Sequence, residues 1–209
     1  SFEMELRGAL ARNEFALAFQ PLVSLSDNRI ASVEALLRWN HPHRGQVAPD
    51  RVIPAAERSG VIGPIGEWVL REACLTAASW PKDVSVAVNV SPLQFSRRGL
   101  IRHIEDALAA SGLEPERLDI ELTETALLAN NEVTQALLKE LRRIGVRISL
   151  DDFGTGYSSL GYLRAFSFDK IKIDRSFVHG LSEPGHNPAI MKAVIGLGSV
   201  TTEVAPQAV

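Results

Sequence analysis

Only one cysteine, Cys74, occurs in the 209 residues, which excludes a disulfide framework and any thiolate metal cluster built within the chain. Its apolar setting, Glu72-Ala73-Cys74-Leu75, reads as a buried core thiol. No apolar run approaches the length of a membrane helix, and no signal-peptide pattern opens the sequence. Positive charge is not in excess: the formal net charge is -3, leaving no basic face for duplex nucleic acid or an anionic membrane. Histidine is sparse, and His41 and His43 fall in Asn40-His41-Pro42-His43-Arg44-Gly45, where Pro42 and Gly45 mark a surface turn, not a ligand pair. Trp39, Trp68 and Trp80 read as packing residues. Neither repeats nor low-complexity linkers appear. What remains is one globular domain, 45% hydrophobic and 22% charged, of a kind that fits the cytoplasm. A helical pattern (Met4, Leu6, Ala9, Leu10) is already running at Ser1, so the expectation is a piece of a longer protein with a further region upstream.

Short strand-like runs alternate with helical stretches, which argues for an α/β fold with a mostly parallel sheet. Strands are expected at 15–25, 29–39, 84–90, 118–123, 146–151 and 168–174. Only a turn at Ser26-Asp27-Asn28 separates the first two, so they pair antiparallel. Helices are expected at 64–80, at 100–111 with Gly112 as a left-handed cap, and at 132–144 with Val133, Leu137, Leu141 and Ile144 on one stripe and Gly145 as its stop.

Alternation within the strands collects the chemistry. In 84–91, Val84, Val86, Val88 and Val90 share one face, leaving Ser85, Ala87, Asn89 and Ser91 toward a crowded interior. The same rule turns Glu34 and Arg38, Asp119 and Glu121, Ser149 and Asp151, and Lys170, Lys172 and Asp174 inward, with Gln20 on the first strand. Most lie near the C-terminal strand ends, where barrels and open α/β sheets place their sites. Carboxylates from four strands cannot form a neutral core; they need protons, Arg and Lys, or a cation. Hard oxygen donors without His or Cys favour Mg²⁺ or Mn²⁺ over Zn²⁺. Asp151 and Asp152 at a strand end could serve a pair of ions about 3.5–4 Å apart that activates water for displacement at phosphorus. Arg38 suits a phosphate, and Lys172 could position the water. The competing reading is a structural network of pairs such as Glu34–Arg38 and Asp151–Lys172. The small-residue loop Asp151-Asp152-Phe153-Gly154-Thr155-Gly156-Tyr157-Ser158-Ser159 favours the site, since its glycines let backbone approach a ligand.

Several ordered motifs carry a resemblance. Val33-Glu34-Ala35-Leu36-Leu37-Arg38-Trp39 resembles the signature of the EAL domain family, and Phe19-Gln20-Pro21 its opening strand. Asn89-Val90-Ser91, Glu121-Leu122-Thr123-Glu124, Asp151-Asp152-Phe153-Gly154-Thr155-Gly156 and Lys170-Ile171-Lys172-Ile173-Asp174 follow in the family's order, over about residues 5 to 195. The resemblance implies a modified TIM-type (β/α) barrel with an antiparallel first strand. It implies hydrolysis of the bacterial second messenger cyclic di-GMP to linear pGpG. Glu34, Asn89, Glu121, Asp151 and Asp152 would then be Mg²⁺ or Mn²⁺ ligands, Lys172 would orient the water, and Gln20 and Arg38 would contact the nucleotide. Glu124 would brace the loop after Asp152, a loop linked to homodimers. An upstream GGDEF or sensor domain is implied as well.

The chain departs from the family's pattern after Gly196-Leu197-Gly198. A helix is expected at 188–197, but the Ala-Glu-Gly-Val-Glu-like and Gln-Gly-Tyr-like strands of the family are not found. Residues 199–209 therefore read as an atypical, disordered tail on an incomplete domain of residues 1–198. Six expected strands compare with the eight of a closed barrel. Loss of the last two would open the edge of the strand at 168–174 and remove a late glutamate and glutamine. The expectation is weak or absent turnover, with a non-catalytic cyclic di-GMP receptor or interaction module as the alternative.

Overall fold

The computed structural model describes residues 2–24, 26–96, 99–127, 132–153, 168–173 and 200–201. A short helix α1 (Phe2–Ala9) leads into strand β1 (Phe15–Val23), which turns back into β2 (Ile30–His41). The two pair antiparallel in a register that sets Gln20 opposite Glu34. The turn between them closes through hydrogen bonds from the Ser24 amide to the Arg29 carbonyl and from the Asn28 amide to the Ser24 carbonyl. Asn28 sits at φ 56, a left-handed conformation that asparagine tolerates. Strand β3 (Gly45–Val47), which the pattern of residues did not signal, pairs antiparallel with the end of β2.

From β2 onward the sheet is parallel: β2, β4 (Ser85–Val90), β5 (Leu118–Thr123), β6 (Arg147–Phe153), β7 (Lys170–Ile173) and β8 (Val200–Thr201), in that order. This is the strand order of a (β/α) barrel wall with an antiparallel first strand, as expected. The connections carry α2 (Pro49–Ser59) and α3 (Ile62–Ala77), α4 (Pro92–Ser96) and α5 (Leu100–Ser111), and α6 (Glu124–Leu127) and α7 (Glu132–Ile144). Among the described residues no helix is long and apolar enough to cross a membrane.

Several expectations need correction. The described sheet has eight strands, not six. Val200 and Thr201 pair with Ile171 and Lys172, so this part of the expected tail is a strand and covers the β7 edge there. Three helices, α2, α4 and α6, fall where the periodicity signalled none. Val133 is 57% exposed and leaves the expected stripe of α7, whereas Leu141 is buried, Leu137 and Ile144 pack against the core, and Thr134 and Leu138 are buried as well. His41 is not in a surface loop: it ends β2 with its ring against Trp39 and only 5% exposed, and its Nε2 lies 3.0 Å from Glu5 Oε2. The His43 amide donates to His41 Nδ1, so Nε2 carries the proton given to Glu5. The helix expected at 188–197, the loop 154–159 and Asp174 lie outside the described residues.

One face of the parallel strands packs on the helices. Val86, Val88, Val90, Ile120, Leu122, Ile148, Leu150, Ile171 and Ile173 are buried there with Ile65 and Leu70 of α3, Ile104 of α5 and Leu141 of α7. Burial of each such side chain stabilises by about 1.5–3 kcal/mol, and this leaves the other face free for polar groups. Cys74 and Trp39 are both fully buried, and Trp68 and Trp80 pack at the core margin.

Two local devices fix strand ends, the first of them near the site. Ser91 and Gln94 form a reciprocal cap for α4: the Gln94 amide donates to Ser91 Oγ at 3.3 Å, and the Ser91 amide to Gln94 Oε1 at 3.2 Å. Gly66 of α3 lies so close to the Gln94 carboxamide that a Cβ there would collide with it. At the other end of the sheet, Arg117 is buried just before β5 and donates to four backbone carbonyls around the end of α3.

Candidate active site

The parallel register brings the expected inward residues into one group. Glu34 of β2 and Asn89 of β4 touch, with Asn89 Nδ2 donating to Glu34 Oε1 at 2.7 Å. Lys172 of β7 stands between three carboxylates: its Nζ donates to Glu121 Oε2 at 3.0 Å and to Glu34 Oε2 at 3.2 Å, and lies 3.7 Å from Asp151 Oδ2. These residues are separated by as many as 138 positions in sequence, and the sheet alone makes them neighbours. The Asp151–Lys172 pair of the structural alternative is therefore present. The Glu34–Arg38 pair is not seen among the described residues; Arg38 Nη1 instead donates to the Leu37 carbonyl at 3.0 Å.

Charge decides what this group can do. Three carboxylates face one ammonium, and Glu121 is 0% exposed. Glu121 Oε1 is buried with no hydrogen-bond partner among the described residues. Burial pushes its carboxyl up to about 8; Lys172 pulls the other way, while Glu34, Asp151 and Asp119 add to the rise. An orphaned carboxylate oxygen in surplus negative charge is what a hard divalent cation satisfies. Among the described residues, no three His, Cys, Asp or Glu side chains are already grouped as a metal cluster, since Lys172 lies between these. The donor chemistry fits Mg²⁺ or Mn²⁺.

The raised carboxyl has a measurable consequence. A group whose folded pKa lies above its unfolded value contributes stability that is complete below the unfolded pKa and lost as pH rises through the folded one. For Glu121 that window runs from about 4.5 to about 8. Melting temperature of the cation-free chain should fall across this interval, and added Mn²⁺ should flatten the fall; a profile unchanged by Mn²⁺ would count against cation binding. Glu14 acts in a separate window. The Arg12 guanidinium and the Trp39 indole N–H hold its carboxyl down at about 2, so its contribution is lost only as pH falls from about 4.5 through 2.

Asp152 ends the regular alternation of β6. It adopts φ 55, a left-handed conformation that is costly for a residue with a side chain, and its amide donates to Asp151 Oδ1 at 2.9 Å. The register between β6 and β7 shifts between Leu150 and Phe153, so strict alternation ends there. Gln20 and Arg38 are half-buried on the β1–β2 hairpin, on the same face as Glu34. Glu124 is 8% exposed as the first residue of α6, directly after the end of β5. Beside Asn89, a cavity of about 440 Å³ opens between β2, α2, α3 and α4, lined by Leu36, Pro49, Ile53, Ile65 and Gln94. No sequence signal marked this cavity, because its walls come from helices at distant positions.

Glu34, Asn89, Glu121, Asp151 and Lys172 thus stand together on adjacent strands of the parallel sheet. A family model described as "EAL domain" matches residues 3–201. The chain belongs to the EAL domain family. This EAL domain is 42% identical over 198 residues to the bifunctional diguanylate cyclase/cyclic di-GMP phosphodiesterase MucR of Pseudomonas aeruginosa, across 93% of the chain and 29% of MucR. It is 41% identical over 199 residues to the cyclic di-GMP phosphodiesterase NbdA of the same organism, across 93% of the chain and 25% of NbdA. Among solved structures, the PaMucR phosphodiesterase in its c-di-GMP complex matches with a TM-score of 0.89 at 39% identity, covering 98% of this chain and 87% of that one. The EAL domain spans about a quarter of the length of several curated relatives it matches.

Proposed function

We propose that this EAL domain hydrolyses one phosphodiester of cyclic di-GMP to give linear pGpG, with Mg²⁺ or Mn²⁺ as cofactor. The observation that carries the reading is Glu121 Oε1, buried among Glu34, Asp151 and Lys172 with no hydrogen-bond partner among the described residues, in a chain with relatives named for this substrate. Glu34, Asn89, Glu121, Asp151 and Asp152 would hold the cation. Bound there, it would polarise the phosphodiester and lower the pKa of the attacking water. Arg38 clamps a phosphate oxygen with its planar fork, and Gln20 contacts the nucleotide. Lys172 donates toward the attacking water and offsets anionic charge as the water oxygen bonds to phosphorus. The P–O3′ bond then breaks with its electron pair going to the 3′ oxygen, and the proton that the water sheds on bonding to phosphorus balances the one that the 3′ oxygen takes up.

A second reading, binding of cyclic di-GMP without turnover, is favoured by Lys172, whose ammonium already engages the three carboxylates that a cation needs. Incubating the purified chain with cyclic di-GMP and Mn²⁺ or Mg²⁺ separates the two. The expected result is pGpG by chromatography, abolished by chelation; calorimetric binding without pGpG would establish a receptor instead. In the full-length protein we place this domain on the cytoplasmic side, beside a GGDEF or sensor domain. Homodimerisation through the loop after Asp152, braced by Glu124, belongs to the same reading, and sedimentation of the chain tests it.

A further inference from the structure

Beneath the group of Glu34, Glu121, Asp151 and Lys172 lies a second tier of charge. Asp119, one inward step before Glu121 on β5, is 2% exposed. Both of its oxygens accept from Ser149 Oγ, at 2.6 and 2.7 Å, and Lys170 Nζ lies 3.2 Å from its Oδ2. The Cα register pairs Glu121 with Ser149 and Ser149 with Lys170. Glu121, Ser149 and Lys170 therefore stand side by side in one row across β5, β6 and β7. In Glu121's own row the Ser149 hydroxyl donates to Asp119 and the Lys170 ammonium lies within ion-pair distance of it, while Glu121 Oε1 is buried with no hydrogen-bond partner among the described residues. Buried carboxylate oxygens take a donor wherever one is in reach, so this row needs a reason.

The geometry points to Asp119 as a positioning residue: by holding the Ser149 hydroxyl and the Lys170 ammonium, it keeps both off Glu121 and reserves Glu121 Oε1 for a divalent cation. This rests on the cation-dependent reading above. Lys170 carries its charge on a flexible four-carbon stem. With the Asp119 charge removed, that stem can turn the ammonium toward Glu121, the carboxylate of its own row. A second ammonium on Glu121, beside Lys172, would neutralise the oxygen that attracts the cation. Stabilising β5 against β6 and β7 would equally use Asp119, but it would leave cation affinity untouched once the chain is folded.

Calorimetric titration of the 209-residue chain with Mn²⁺ tests the inference, with melting temperature recorded for each variant. Asp119→Asn keeps the shape and removes the charge; it should weaken Mn²⁺ binding about ten-fold or more, a range usual for groups that orient metal ligands. Adding Lys170→Met to it should restore the affinity, because no ammonium remains to be misplaced. An Asp119→Asn chain that melts lower yet binds Mn²⁺ like the wild type overturns the inference, as does a double variant that stays weak. Lys170→Met alone should bind as tightly as the wild type or more tightly. Weaker binding there overturns the inference even if Asp119→Asn fails to fold. A wild-type chain that binds no Mn²⁺ removes the cation reading and the inference together, whereas binding that is indifferent to Asp119 removes only the inference.

Discussion

Replacing Glu121 with Gln is expected to cut turnover of cyclic di-GMP on the order of a thousand-fold while raising the melting temperature of the cation-free chain. The two effects share one cause. Glu121 is fully buried, its Oε1 has no partner among the described residues, and burial lifts its carboxyl to about 8. Ionised, it is an incompletely compensated charge, and its removal should stabilise by about 1–3 kcal/mol. Lys172 retains Glu34 and Asp151 after the change, so the substitution orphans no ammonium. Stabilisation should be small near pH 4.5 and grow toward pH 8 and above, because wild-type Glu121 is protonated at the lower end. Thermal melts across pH, with and without Mn²⁺, beside a turnover assay, check both halves. A variant that melts lower and still turns over the dinucleotide would make Glu121 a structural residue.

Arg117→Met should be the most damaging single change away from the site, destabilising by about 3–4 kcal/mol. The guanidinium is 8% exposed and donates through Nε to Val84 O at 3.0 Å. Through Nη2 it reaches Ala77 O at 2.8 Å, Pro81 O at 3.2 Å and Trp80 O at 3.5 Å. Ala77 ends α3, where unsatisfied carbonyls carry the negative end of the helix dipole, so a cation is favourable there even without a carboxylate. Methionine fills similar volume but leaves the carbonyls without a donor. Lysine, lacking the planar fork, should recover only part of the loss. Urea midpoints of the three forms measure this, and kcat below the melting range should stay near wild type, since Arg117 precedes β5 while Glu121 lies toward its other end. A loss under about 1 kcal/mol would mean that water replaces the guanidinium.

Alternation settled much in advance because a strand has a period of two and one face must meet the helices. That is enough to turn Glu34, Asn89, Glu121, Asp151 and Lys172 inward, and the hairpin turn is enough to make β1 antiparallel. It failed where local pattern is not the deciding force. His41 looked like loop because of Pro42 and Gly45, yet β3 extends β2 past it and Glu5 of α1 covers the ring. Val200 and Thr201 carry no motif, and pairing with β7 makes them strand.

By itself, the sequence determined which side chains face the interior, the family, and the donor chemistry of hard oxygens with one lysine. Only the tertiary structure decided how those charges are shared. Lys172 is held by three carboxylates, Lys170 and Ser149 are drawn to Asp119, and Glu121 Oε1 is the oxygen left over. The reason is geometric: alternation specifies a face, but register between strands far apart in the chain specifies which neighbour across that face each charge meets.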